Sequence, residues 1–213
     1  MASNVNSVFS SMSSIGMNVS SSEPIDHFAD VERVLIEACA FVPQNKRVLG
    51  ALLSWLLVHG EVVNIERLLK FSKDQALPWL SLCARFCLFH GNTRWKNVVG
   101  THEGLHANGD IDNAKERVKF KGGEPWAKDS EFLIPCRSEP LDAKFVLSQE
   151  QLAKYNRHYR NKLVYGYNWR ADIITAIERG AKNPFQAAKM SGASYEPAHR
   201  IFQDWRTAGM LDT

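Results

Sequence analysis

The stretch NPFQAAKMSGASYEPAHRIFQDWRTAGM, residues 183–210, decides the fold class of this chain. Asn183 is suited to cap a helix, and Pro184 falls in the first turn, where a missing amide donor costs nothing. Gln186, Ala187, Ala188 and Lys189 are strong helix formers, and Gly192 stops that helix. Ser194 can cap the next one. Its Ala198, Ile201, Phe202 and Trp205 recur at three- and four-residue intervals and so make one apolar face. Ala188, four residues before Gly192, is small enough for the two helices to cross closely.

Short helix, glycine-centred turn and amphipathic second helix together resemble the helix-turn-helix family of DNA-binding proteins, over this C-terminal segment only. The resemblance implies that the second helix enters the DNA major groove. Ser194, Tyr195, His199, Arg200 and Gln203 then form the contact face, with Glu196 beside them. Arg200 is suited to a guanine edge or a phosphate, and Gln203 to adenine. Ser194 and Tyr195 sit at a helix N-terminus, which favours a phosphate oxygen.

Working outward, Ile25 to Phe41 carries a helical apolar period, and Pro43 breaks it. A second helix is expected from about Lys46 to His59, ending at Gly60, and a third from Ile65 to Phe71, capped by Asn64. A fourth runs from Gln75 to His90. Setting Lys70 on Lys189 places Ser72 on Ser191, Pro78 on Pro197 and Phe86 on Trp205, which suggests two copies of one tri-helical unit. The long helix of the first copy, with Leu77, Trp79, Leu80, Leu82, Cys83, Phe86 and Leu88, is apolar nearly all round. Such a helix is buried, in a packing or self-association role, which leaves the second copy as the reader.

The expected fold is therefore mainly α: two tri-helical helix-turn-helix-like units joined by a small irregular, β-containing middle region. Residues 1–24 are rich in Ser and Asn and read as a disordered tail without the features of a signal peptide. The first helical unit spans residues 25–91, the mixed middle 92–147, and a basic helix plus the helix-turn-helix 148–213. In the middle, Arg94 to Val99 and Arg117 to Lys121 alternate as short strands would.

From Ser148, with Gln151 as capping-box partner, one helix is expected through Leu152, Tyr155, Tyr159 and Leu163. It carries Lys154, Arg157, His158, Arg160 and Lys162 between tyrosines and asparagines. Lys154, Arg157, Arg160 and Lys162 are candidate phosphate contacts; the alternative is an ordinary solvated face with its tyrosines in the core. Lys115, Arg117, Lys119 and Lys121 form a thinner basic run. The chain as a whole is only mildly basic, at +3 over 213 residues, so affinity for a polyanion must come from such local clusters.

A rival constellation lies at residues 102–112, where His102, Glu103, His106, Gly109 and Asp112 spell HExxHxxGxxD. Two histidines one helical turn apart can bind zinc while the intervening glutamate acts as a base on metal-bound water. The pattern is similar to the metzincin-type zinc metallopeptidases. That resemblance implies His102, His106 and Asp112 as zinc ligands and Glu103 as the catalytic residue; the alternative is a polar loop without metal.

With 45% hydrophobic and 23% charged residues the chain is expected to fold around a core. Its richest apolar run, Val48 to Val58, is too short to span a membrane. Cys39, Cys83, Cys87 and Cys136 fit no disulfide or zinc spacing, which suggests a reducing, cytoplasmic setting.

The favoured expectation is a non-catalytic, cofactor-free DNA-binding regulator or accessory factor, with DNA a better partner than RNA. It has no membrane partner, and a homo-oligomer or a larger nucleoprotein assembly is the expected form of association. The alternatives are the zinc peptidase and a structural subunit of a larger nucleoprotein assembly on single-stranded nucleic acid.

Overall fold

The computed structural model describes residues 5–20, 24–102, 114–128, 130–136, 141, 144 and 146–211. Among them the protein is mainly helical. In chain order the helices are α1 (Val5–Ser14), α2 (Val31–Phe41), α3 (Arg47–His59), α4 (Ile65–Ser72), α5 (Pro78–Phe89), α6 (Lys96–His102), α7 (Ala114–Lys121), α8 (Gln149–Tyr155), α9 (Arg157–Tyr165), α10 (Trp169–Glu178), α11 (Pro184–Ser191) and α12 (Tyr195–Thr207). No described helix is long and apolar enough to cross a membrane.

Two apolar clusters organise these helices. The larger gathers α1 to α6 with Trp126, Ile134, Val146, Leu152 and Tyr159; Trp55 and Trp95 are its largest fully buried side chains. The smaller is built by Ile173, Ile174 and Ile177 of α10, Ala187 and Ala188 of α11, and Ala198, Ile201 and Phe202 of α12. These three helices pack on one another, and α10 also packs on α9, which ties the small cluster to the rest of the chain. Ala187 and Ala188 supply the small residues that let α11 approach its neighbours, as their spacing predicts.

Four sequence expectations are corrected. Residues 5–14 are not a flexible tail. Val8, Met12, Ile15 and Met17 are buried in the larger core, Ser14 Oγ donates to the Ser10 carbonyl, and the buried Trp55 donates Nε1–H to the Ile15 carbonyl at 2.7 Å. A few well-spaced apolar residues outweigh the serine-rich composition around them. Nor do the middle segments form strands: residues 96–99 lie in α6 and residues 117–121 in α7, and only two isolated bridges occur among the described residues, Met17 with Val146 and Gly123 with Pro135. With no neighbouring strand to pair with, an alternating pattern falls into helix, which satisfies its amides locally.

The single basic helix is in fact two. Asn156, extended at φ −97° and ψ 109°, ends α8 and caps α9 through its side chain. Its amide also donates to the carbonyls of Ser14 and Ala29, so tertiary contacts hold the break. Finally, the first helical region does not close as a twin of the last. α4 packs on α2, and α5 packs on α3 and α6. The residue after α4 is Lys73, right-handed at φ −53°, whereas the residue after α11 is the left-handed Gly192. Without that sharp reversal α5 cannot fold back on α4 as α12 does on α11. Most apolar side chains of the over-apolar α5 are thus buried within its own chain, while Phe89 at its end is exposed.

Candidate nucleic-acid interface

α11 begins as its residues require: Asn183 Oδ1 accepts the Gln186 amide at 2.9 Å, and Pro184 occupies the first turn. It ends at Gly192, φ +77°, whose amide returns to the Ala188 carbonyl at 2.9 Å. Only glycine adopts that backbone without strain. Ser194 is exposed and has the extended backbone of a cap, but its side chain makes no capping bond.

α12 buries Ala198, Ile201 and Phe202 against α10 and α11 and leaves the other side exposed. Tyr195, Glu196, His199, Arg200 and Gln203 are all exposed, as is Arg206 further along. Two rows run along this face with the four-residue helical repeat. In one, the Tyr195 and His199 rings lie 5.7 Å apart between centroids, and Gln203 Nε2 is 3.5 Å from His199 Nε2. In the other, Arg200 reaches Glu196 at 3.4 Å, with 72% and 84% of the two side chains exposed. An ion pair this open is worth at most about 1 kcal/mol, so a stronger acceptor can take the guanidinium. Lys182 and Lys189, which the groove reading did not single out, add exposed cations on the neighbouring turn and helix.

The basic segment divides. Lys154 is exposed and paired with Glu150 at 2.8 Å; Arg157 is exposed, its guanidinium 5.6 Å from the centre of the Phe28 ring. Arg160 is half-buried and 3.9 Å from Glu178. Lys162 does not join this surface at all. It is fully buried, with Nζ 2.9 Å from Glu32 and 3.1 Å from Asp172. Burial pulls its pKa down, but the two carboxylates outweigh burial and leave it above the ordinary lysine value. Tyr159 and His158, interleaved with these cations, are buried as well.

Lys162 belongs to an internal ion network that fixes the turn. Arg67, 2% exposed on α4, donates to Asp30 through both terminal nitrogens, to Glu32 at 2.7 Å, and through Nε to the Ser191 carbonyl at 2.7 Å. Lys70 donates to the Gly192 carbonyl at 2.7 Å. The Phe71 ring lies so close to Gly192 that a Cβ there would stand 2.5 Å from Cζ. α4 therefore grips the end of α11 by charge, hydrogen bond and steric contact. Burial raises the Asp30 carboxyl, yet the charge and hydrogen bonds of Arg67 overcome this and hold it at about 2. Asp172, buried among Lys162, His158 and Arg67, lies below the ordinary carboxylate range for the same reason.

Asp30, Glu32 and His158 come close enough together to suggest a metal site. Their lone pairs are already committed. Glu32 accepts from Arg67, Lys162 and the Asn64 amide, while His158 Nδ1 accepts the Val31 amide and Nε2 faces Asp172 at 2.7 Å. A cation would have to displace Arg67, which remains protonated beside three carboxylates.

Of the zinc pattern, Glu103, His106 and Asp112 lie outside the described residues. His102 closes α6; it is buried, with Nε2 2.9 Å from Ser72 Oγ, and burial lowers its pKa. Cys39, Cys83 and Cys87 are buried in the larger core. The Cys39 thiol is pushed up by its hydrogen bond to Cys83 and by burial, and the Cys87 thiol by burial, so both behave as small apolar groups.

No protein-family model, no curated protein and no solved structure matches this chain.

Proposed function

We propose that this protein binds double-stranded DNA without catalysing a reaction on it, as a regulator or accessory factor, and that α11, the Gly192 turn and α12 act as a helix-turn-helix. The observation that carries this reading is the division of α12. One face is buried against α10 and α11, while Tyr195, His199, Arg200 and Gln203 share the exposed face. A 13-residue helix is roughly 20 Å long, and the major groove is about 12 Å wide, enough to admit it. Arg200 and Gln203 carry the donors that recognise guanine and adenine edges. Ser194 and Tyr195 supply the helix N-terminus to a phosphate.

The grip of α4 on the turn supports the same reading, because base contacts need a helix held to within a fraction of an ångström. Lys154, Arg157 and Arg160 are suited to phosphates. They set register and affinity and carry no sequence information.

The test is fluorescence anisotropy of the full chain with a labelled duplex and with each of its strands, over a range of salt. Tighter binding to the duplex, weakening linearly in log affinity against log salt, is the expected result. Preference for the single strands would move the function to coating of unpaired nucleic acid.

A further inference from the structure

A half-open cleft of about 390 Å³ lies over the ion network, between the start of α2, the end of α10 and the end of α11. Its volume falls in the range of small-molecule sites, roughly 300–1,000 Å³. The floor is Asp30, Arg67, His158 and Asp172. Its carboxylates are saturated: Asp30 accepts from Arg67 and from the Arg33 amide, and Asp172 from His158, Lys162 and Asn64. A cationic ligand would find no acceptor there.

Donors are what the mouth offers. Arg33 and Arg179 line it with 57% and 52% of their side chains exposed, each in one ion pair at 3.5 Å, to Asp30 and Asp26 respectively. Arg157 does not itself line the cleft; its guanidinium carbon stands 5.6 Å from the centre of the Phe28 ring, which does. Each guanidinium has five N–H groups in a fixed fork, so long single pairs leave most of that capacity to a ligand. Phe28, Ala176 and Met190 supply an apolar wall beside these forks.

We propose that this cleft binds a small organic oxyanion with an apolar or aromatic body: the carboxylate or phosphate is held between Arg33 and Arg179, and the body lies on Phe28, Ala176 and Met190. The ligand also touches Ser191, the residue before the Gly192 turn, and so meets the part of the chain that carries α12. The binding site itself does not depend on the DNA reading.

The experiment is calorimetric titration of the full chain, without DNA, using phenyl phosphate and phenylacetate as probes, with inorganic phosphate and benzyl alcohol as controls. Saturable binding of at least one aromatic anion is expected, tighter than either control, because neither control offers both the charge and the apolar body. The stronger of the two anions identifies the headgroup. Arg179→Gln, at an exposed position, weakens that binding by about fivefold or more, and Arg33→Gln does the same, with thermal unfolding recorded to show that each variant is folded. No saturable binding of either aromatic anion, or equal binding by the chain and both variants, overturns the proposal. Should the probes fail while duplex affinity falls in the same variants, the rim is a contact for the DNA backbone and the small-ligand assignment is overturned.

Discussion

Replacing Gly192 by alanine puts one methyl group where α4 already stands. Two costs add. The left-handed backbone at φ +77° costs an L-residue roughly 1–2 kcal/mol. The new Cβ would also lie 2.5 Å from Phe71 Cζ and 2.7 Å from Cε1, so the ring must move. It cannot move freely, since the guanidinium carbons of Arg33 and Arg67 lie 4.3 and 4.7 Å from its centre. Overpacking of this kind costs about 1–3 kcal/mol, for a total of about 2–5 kcal/mol. A double-mutant cycle separates the two. In a Phe71→Ala background the steric part vanishes, and Gly192→Ala costs only the backbone strain, so the cycle gives a coupling of about 1–3 kcal/mol. Urea unfolding of the four proteins, followed by circular dichroism, measures it. Strict additivity would refute the claim that the turn is seated on Phe71.

Three further outcomes are expected. His59 is buried, with Nε2 2.9 Å from the Leu147 carbonyl and Nδ1 2.8 Å from the Tyr159 hydroxyl, and burial lowers its pKa from 6.5 to about 4. Between those values only the unfolded chain takes up the proton, so stability is full above pH 6.5 and falls by about 3 kcal/mol as pH drops to 4; His59→Gln flattens that window in urea titrations, and Asp30, held at about 2, adds its own loss only at still lower pH. Lys162→Met removes one of the two cations, with Arg67, that Glu32 and Asp172 share and costs about 3–5 kcal/mol in urea unfolding, with the salt dependence of duplex binding unchanged; a flatter dependence at unaltered stability would make Lys162 a phosphate contact after all. Arg157→Ala and Arg160→Ala each weaken binding to all duplexes alike and reduce the salt slope by about 1, whereas sequence-dependent losses would place them among the base contacts.

Local chemistry was legible and long-range chemistry was not. The Asn183 cap, the left-handed Gly192, the apolar face of α12 and the Ser148–Gln151 capping box depend on neighbours within a turn or two, and all are present as expected. The fate of Lys162 was not legible. Its sequence neighbours are basic and polar, and the partners that bury it, Glu32 and Asp172, come from α2 and α10. The grip of Arg67, Lys70 and Phe71 on the turn joins residues more than a hundred positions apart, which no periodicity reports. Val8, Met12, Ile15 and Met17 did carry a usable signal, an apolar residue every two to four positions, which the surrounding serines concealed. The break at Asn156 had one too: asparagine favours caps over helix interiors.

The central claim, that the outer face of α12 reads DNA, is tested most directly by selecting duplexes from a random pool with the full chain. Affinities for the selected and a shuffled duplex are then compared, for the chain and for Arg200→Ala/Gln203→Ala. The account predicts a selected sequence bound at least about tenfold more tightly than its shuffled form, and a double variant, still folded, that loses most of that difference. A pool that yields no preferred sequence, or a preference that survives both substitutions, would contradict it.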